Sequence, residues 1–142
     1  MKKIILLFAV IVVIISCDLN DDNRNFSFEA IPISTATLPE FFELGETYEI
    51  LLTYFRPTTC HFFEGFDFVR GENNLRTVAI INSVLEDDTC EEFIDEQIEV
   101  SFDFFVVNEG VYTFRFWQGI DENGDPVYLI LEVPVVISEN NG

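Results

Sequence analysis

The stretch Ile98-Glu99-Val100-Ser101-Phe102-Asp103-Phe104-Phe105-Val106 decides the fold class. Its even positions are apolar up to Val106, and Glu99, Ser101 and Asp103 fill the odd ones. Successive side chains of a β-strand point to opposite faces, so this segment predicts a strand with one face buried and one wet. No helix spacing fits it. Asn108-Glu109-Gly110 ends the strand with turn residues. A second alternating run follows, with Tyr112, Phe114 and Phe116 inward and Thr113, Arg115 and Trp117 outward.

Working outward, the same period recurs. Residues 119–126, Gly-Ile-Asp-Glu-Asn-Gly-Asp-Pro, read as a hairpin centred on Asn123-Gly124, where positive φ is cheap. A strand from Val127 to Ile137 follows, and Ser138–Gly142 form a polar tail. Upstream, Leu75–Leu85 and Cys60–Val69 read as strands joined by Gly71-Glu72-Asn73-Asn74. Tyr48, Ile50, Leu52 and Tyr54 share one face of another. Phe26 to Ala30 alternates as well. Pro32 cannot donate to a ladder, so that first strand is an edge or changes partner there. Residues 35–46, with Pro39 and Gly45, read as a connection, and Glu86–Glu96 as an acidic loop or one short helical turn. About seven strands with turns between them and no helical period predict an all-β, antiparallel β-sandwich spanning residues 26–137.

The N-terminus has a different character. Lys2 and Lys3 precede twelve unbroken apolar residues, Ile4–Ile15, and Ser16-Cys17 close the run. That is the layout of a secretory signal. Twelve residues are fewer than the roughly 20 needed to span a bilayer as a helix. Ile14-Ile15-Ser16-Cys17 resembles the lipobox of bacterial lipoproteins. The resemblance implies cleavage before Cys17, lipidation of its thiol, and a lipid anchor on the outer membrane of the cell envelope. Asp18, Asp21 and Asp22 lie in an acidic tether, residues 17–25. They resemble the export signals of Bacteroidota lipoproteins, which implies surface exposure.

Without residues 1–16 the chain keeps five arginines, no lysine and 26 carboxylates, so its formal charge moves from −19 to −21. Nucleic-acid partners are excluded, because binding there comes from clustered cations. The charge also opposes docking of the protein surface on anionic lipid. With 16 phenylalanines, the chain nonetheless has the apolar content to build a core.

With Cys17 given to lipid, Cys60 and Cys90 remain as an even pair in an exported chain, which predicts a disulfide. A metal site at Cys60, His61 and Cys90 is the rival, but zinc-ligand spacing is missing. Gly110-Val111-Tyr112-Thr113-Phe114 resembles the penultimate strand of immunoglobulin-like domains. In that family the tyrosine bonds back to the backbone at a corner. Phe114 stands where antibody domains carry the second cysteine, so the inter-sheet disulfide of those domains is not expected.

Nothing in the sequence assembles a catalytic centre. The single histidine, His61, sits beside Cys60, and no Gly-x-Ser-x-Gly elbow exists. A non-catalytic role is expected, as a binding or accessory module for a protein or glycan, or as a structural envelope lipoprotein. The outward aromatics Trp117 and Tyr128, with Arg115, form the candidate ligand patch. The segment 35–46, with Phe41 and Phe42, is a candidate cover for it. Asp121, Asn123 and Asp125 place oxygen ligands at alternate positions and leave a calcium-dependent module open. Pro126, where an EF-hand count needs glycine, favours a plain hairpin, and no other cofactor is indicated.

Overall fold

The computed structural model describes residues 24–139. The signal segment, Cys17, tether residues 17–23 and the last tail residues 140–142 lie outside them. The described chain contains nine strands: β1 Phe26–Ile31, β2 Ile33–Thr37, β3 Phe42–Glu43, β4 Thr47–Phe55, β5 His61–Arg70, β6 Leu75–Leu85, β7 Gln97–Phe105, β8 Val111–Ile120 and β9 Pro126–Val136. Among the described residues no helix is long and apolar enough to cross a membrane.

The strands form two packed sheets of an immunoglobulin-like β-sandwich. One has six strands. Its path runs β1-β6-β8-β9-β3, with β5 on the other edge of β6. The second has three strands in the order β2-β4-β7. Antiparallel pairing dominates, but β6 and β8 pair in parallel, as do β3 and β9.

Pro32 is where the chain changes sheets. Ile31 pairs with Ile80 of β6, and Ile33 pairs with Tyr54 of β4. Proline removes one ladder donor, so the break in pairing falls where it costs least. Gly119 passes beside this corner with φ +109, and a Cβ there would sit 3.5 Å from the Pro32 ring. Gln118 Nε2 donates to the Ile33 carbonyl at 3.1 Å and ties β8 to the crossover.

The core is aromatic. Phe42, Tyr112, Phe114 and Phe116 are fully buried. Phe104 of β7 sits 5.0 Å from the Tyr112 ring and 5.1 Å from Phe114, joining the two sheets edge to face. Tyr112 Oη accepts the backbone N–H groups of Asn108 at 3.0 Å and Val107 at 3.3 Å. This is the corner expected from the Tyr112 motif. Cys60 and Cys90 form a disulfide that joins the start of β5 to the acidic loop before β7, and the rival metal reading falls.

One expectation needs correction, and one open alternative is resolved. Residues 35–46 are not a bare connection: they contain the end of β2 and all of β3, the latter held by the parallel pairing of Phe42 with Val135. Phe42 therefore enters the core between the sheets and does not cover the outward aromatics. Residues 86–96 form a loop without a helical turn, anchored by a bridge between Thr58 and Glu92.

Candidate functional site

A groove of about 320 Å³ lies between β5 and β7. It exists because of the strand count. β5 is the edge of the six-stranded sheet, and β7 is the edge of the three-stranded one. Among the described residues, no strand beyond β7 covers the inner face of β5. Phe66 and Phe68 of β5 and Phe102 and Phe104 of β7 line the apolar part. Their rings make edge-to-face contacts across the sheets, Phe66 to Phe102 at 5.2 Å and Phe68 to Phe102 at 5.6 Å.

The polar part is unusual for so acidic a chain. Arg70 and Arg76 both line the groove, and they are directly opposed in the β5/β6 register. Like charges placed opposite each other in a sheet destabilise it. Arg76 is only 5% exposed. Its guanidinium lies 5.0 Å from the Tyr112 ring centre, and its Nη1 donates to the Leu75 carbonyl. Its Nε is buried and has no hydrogen-bond partner. Among the described residues, no carboxylate forms an ion pair with Arg70 or Arg76; the pairs found are Arg56–Glu96 and His61–Glu29. Asp103 is the only acidic residue in the lining. A buried donor and an uncompensated charge are both costly, so this geometry is suited to an anion that brings apolar groups with it.

Neither Arg70 nor Arg76 was a sequence-level candidate. The available signal was phase: Arg76 falls on the same face of β6 as Val78, Ile80 and Asn82, a charge in the buried set of an alternating strand. Recognising the groove also requires knowing that β5 and β7 are neighbouring edges, which no local pattern reveals.

The sequence-predicted patch is brought together. Trp117 and Tyr128 are directly opposed in the β8/β9 register and share the outer face, both half-buried. Arg115 lies over Tyr128, 5.0 Å from the ring centre, and donates to Thr77 Oγ1 through Nε at 3.2 Å and Nη2 at 2.9 Å. One face of Tyr128 is thus occupied by the guanidinium.

Asp121, Asn123 and Asp125 form the β8/β9 turn. Asp121 Oδ1 accepts the amides of Asn123 at 2.8 Å and Asp125 at 3.0 Å, while Gly124 holds φ +83. The turn itself engages Asp121 Oδ1. Among the described residues, no group of three or more His, Cys, Asp or Glu is placed to hold a metal.

A second, more open hollow of about 420 Å³ lies at the other end, lined by residues such as Tyr54, Arg56, His61 and Phe63. Cys60 is oxidised there and offers no thiolate. Both ring nitrogens of His61 are engaged, Nδ1 with Thr58 Oγ1 at 2.8 Å and Nε2 with Glu29 Oε2 at 3.1 Å. Burial raises the pKa of the Tyr54 hydroxyl, against the opposing pull of the Asn82 amide and Arg56. In the acidic loop, the Thr89 amide and hydroxyl lower the Asp87 pKa.

The chain matches no family model, and no similar curated protein or solved structure is found.

Proposed function

We propose that this protein is a non-catalytic, lipid-anchored lipoprotein of the outer membrane that works as a binding module for a partner protein. Cys17 is the lipidated residue in this reading, and the domain from Phe26 onward faces the aqueous side. One observation carries the binding role: the open groove between β5 and β7, lined by five phenylalanines and by an arginine whose Nε has no partner. A purely structural lipoprotein has no need of an uncovered inner sheet face or of two opposed arginines.

A photo-crosslinking residue at position 105, on the exposed rim of the groove, tests the site. It is expected to capture an envelope protein in intact cells. Capture from position 128 but not 105 would move the site to the outer face. There the opposed Trp117 and Tyr128 favour the second reading, a glycan stacked on Trp117. The anchor is tested separately, since Cys17→Ala should leave the protein soluble after cell fractionation.

A further inference from the structure

We infer that the groove accepts an extended acidic strand of a partner protein, which pairs along the free edge of β7 and turns a carboxylate onto Arg76 and Arg70. The inference rests on the groove being the binding site.

The backbone of β7 supports this geometry. Val106 N–H donates to the Glu46 carbonyl, on the β4 side. By alternation, the amides of Glu99, Ser101, Asp103 and Phe105 point the other way. Among the described residues, no strand pairs with that edge. The lining has the matching asymmetry. β5 contributes residues of one face, Phe66, Phe68 and Arg70, so its inner surface is the floor. β7 contributes residues of both faces, including Phe104 and Phe105, so its edge is the wall. A floor from one sheet and a wall from the edge of the other define the space of one more strand. Such a strand would bring the three-stranded sheet to four. It would find backbone partners on β7 and turn every second side chain onto Phe66 and Phe68.

Charge selects the occupant. Arg76 is already almost sealed from water, and a neutral apolar strand would leave its charge without a counter-ion and its Nε unpaired. A strand with one Asp or Glu among its inward residues supplies a planar acceptor that suits a guanidinium. The chain's own 26 carboxylates provide no such partner among the described residues. Its net charge also repels loosely held anions, so the arginine pair is a local exception in an acidic field.

The test uses the mature chain carrying Cys17→Ser and two displayed libraries of peptides about nine residues long, the length of β7. Both alternate apolar and polar residues. One fixes Asp or Glu at an inward position and the other fixes Asn or Gln. The acidic library should enrich, and its best peptide should bind at least about tenfold tighter than its amide counterpart. Binding should slow hydrogen exchange at Glu99, Ser101, Asp103 and Phe105. Arg76→Gln should abolish the acid preference, and the exposed Arg70→Gln, which spares the core, should reduce it. The inference fails if neither library enriches, if acid and amide bind alike, or if protection appears away from β7. It also fails if 3-phenylpropionate binds as tightly as the peptide, because the site would then belong to small acids. Crosslinking from position 105 without an acid preference would retain the binding module and remove the acidic strand.

Discussion

Arg70 and Arg76 face each other across the β5/β6 pair, and both line the groove between β5 and β7. Two positive charges in register are a local defect in a chain dominated by carboxylates.

Removing the exposed member should therefore stabilise the fold. Arg70→Thr keeps a β-compatible side chain and is expected to raise unfolding free energy by about 0.2–1 kcal/mol. The gain should shrink in molar salt, where charges are screened. Urea titrations at two ionic strengths measure both, and a destabilised variant would contradict the opposed-charge account.

Tyr112→Phe preserves the aromatic packing and deletes the hydroxyl that accepts two backbone amides. Leaving Val107 and Asn108 without that acceptor should cost about 1–3 kcal/mol. Chemical denaturation measures it. A loss no larger than that of an exposed Tyr→Phe change would show that the corner is not a stabilising element.

The disulfide closes a loop with a sequence separation of 30. On the chain-entropy model, Cys60→Ala with Cys90→Ala should lower stability by about 3–4 kcal/mol. Alkylation of the mature chain without reduction should label neither cysteine, as read by mass spectrometry. Two labelled thiols would refute the bridge.

Tyr54 links stability to alkaline pH. Burial opposes its ionised form, so its folded pKa lies above the ordinary 10.0. The stability this group contributes is complete below that ordinary value and is lost as pH rises through the folded one. Tyr54→Phe removes the ionisable group, so its stability should fall less steeply with pH above 10 than that of the parent. Parallel curves for parent and variant would end this assignment.

Much of the architecture was legible in the residues because strand alternation is a property of the backbone itself. The phases of β4, β7 and β8 follow from which of two faces carries Ile50, Phe102 or Phe114, and the corner follows from Tyr112 beside Gly110. The same logic misjudged 35–46, where two short strands leave no periodic trace. Phe28 and Phe42 show the limit: the sequence does not distinguish them, yet Phe28 is exposed and Phe42 fully buried.

The sequence alone determined an all-β chain, the inward residues of its long strands, the Cys60 and Cys90 pair for a disulfide, and a strongly acidic net charge. These depend on local period and composition. Only the tertiary structure decided that the chain switches sheets at Pro32, that β6 runs parallel to β8, and that β5 and β7 end as neighbouring free edges. Strand order is settled by non-local burial over the whole chain, and no stretch of sequence carries it. The groove arises from that order, and so does the setting of Arg76: an alternating strand sets its side of the sheet, and among the described residues no strand beside β7 covers that side.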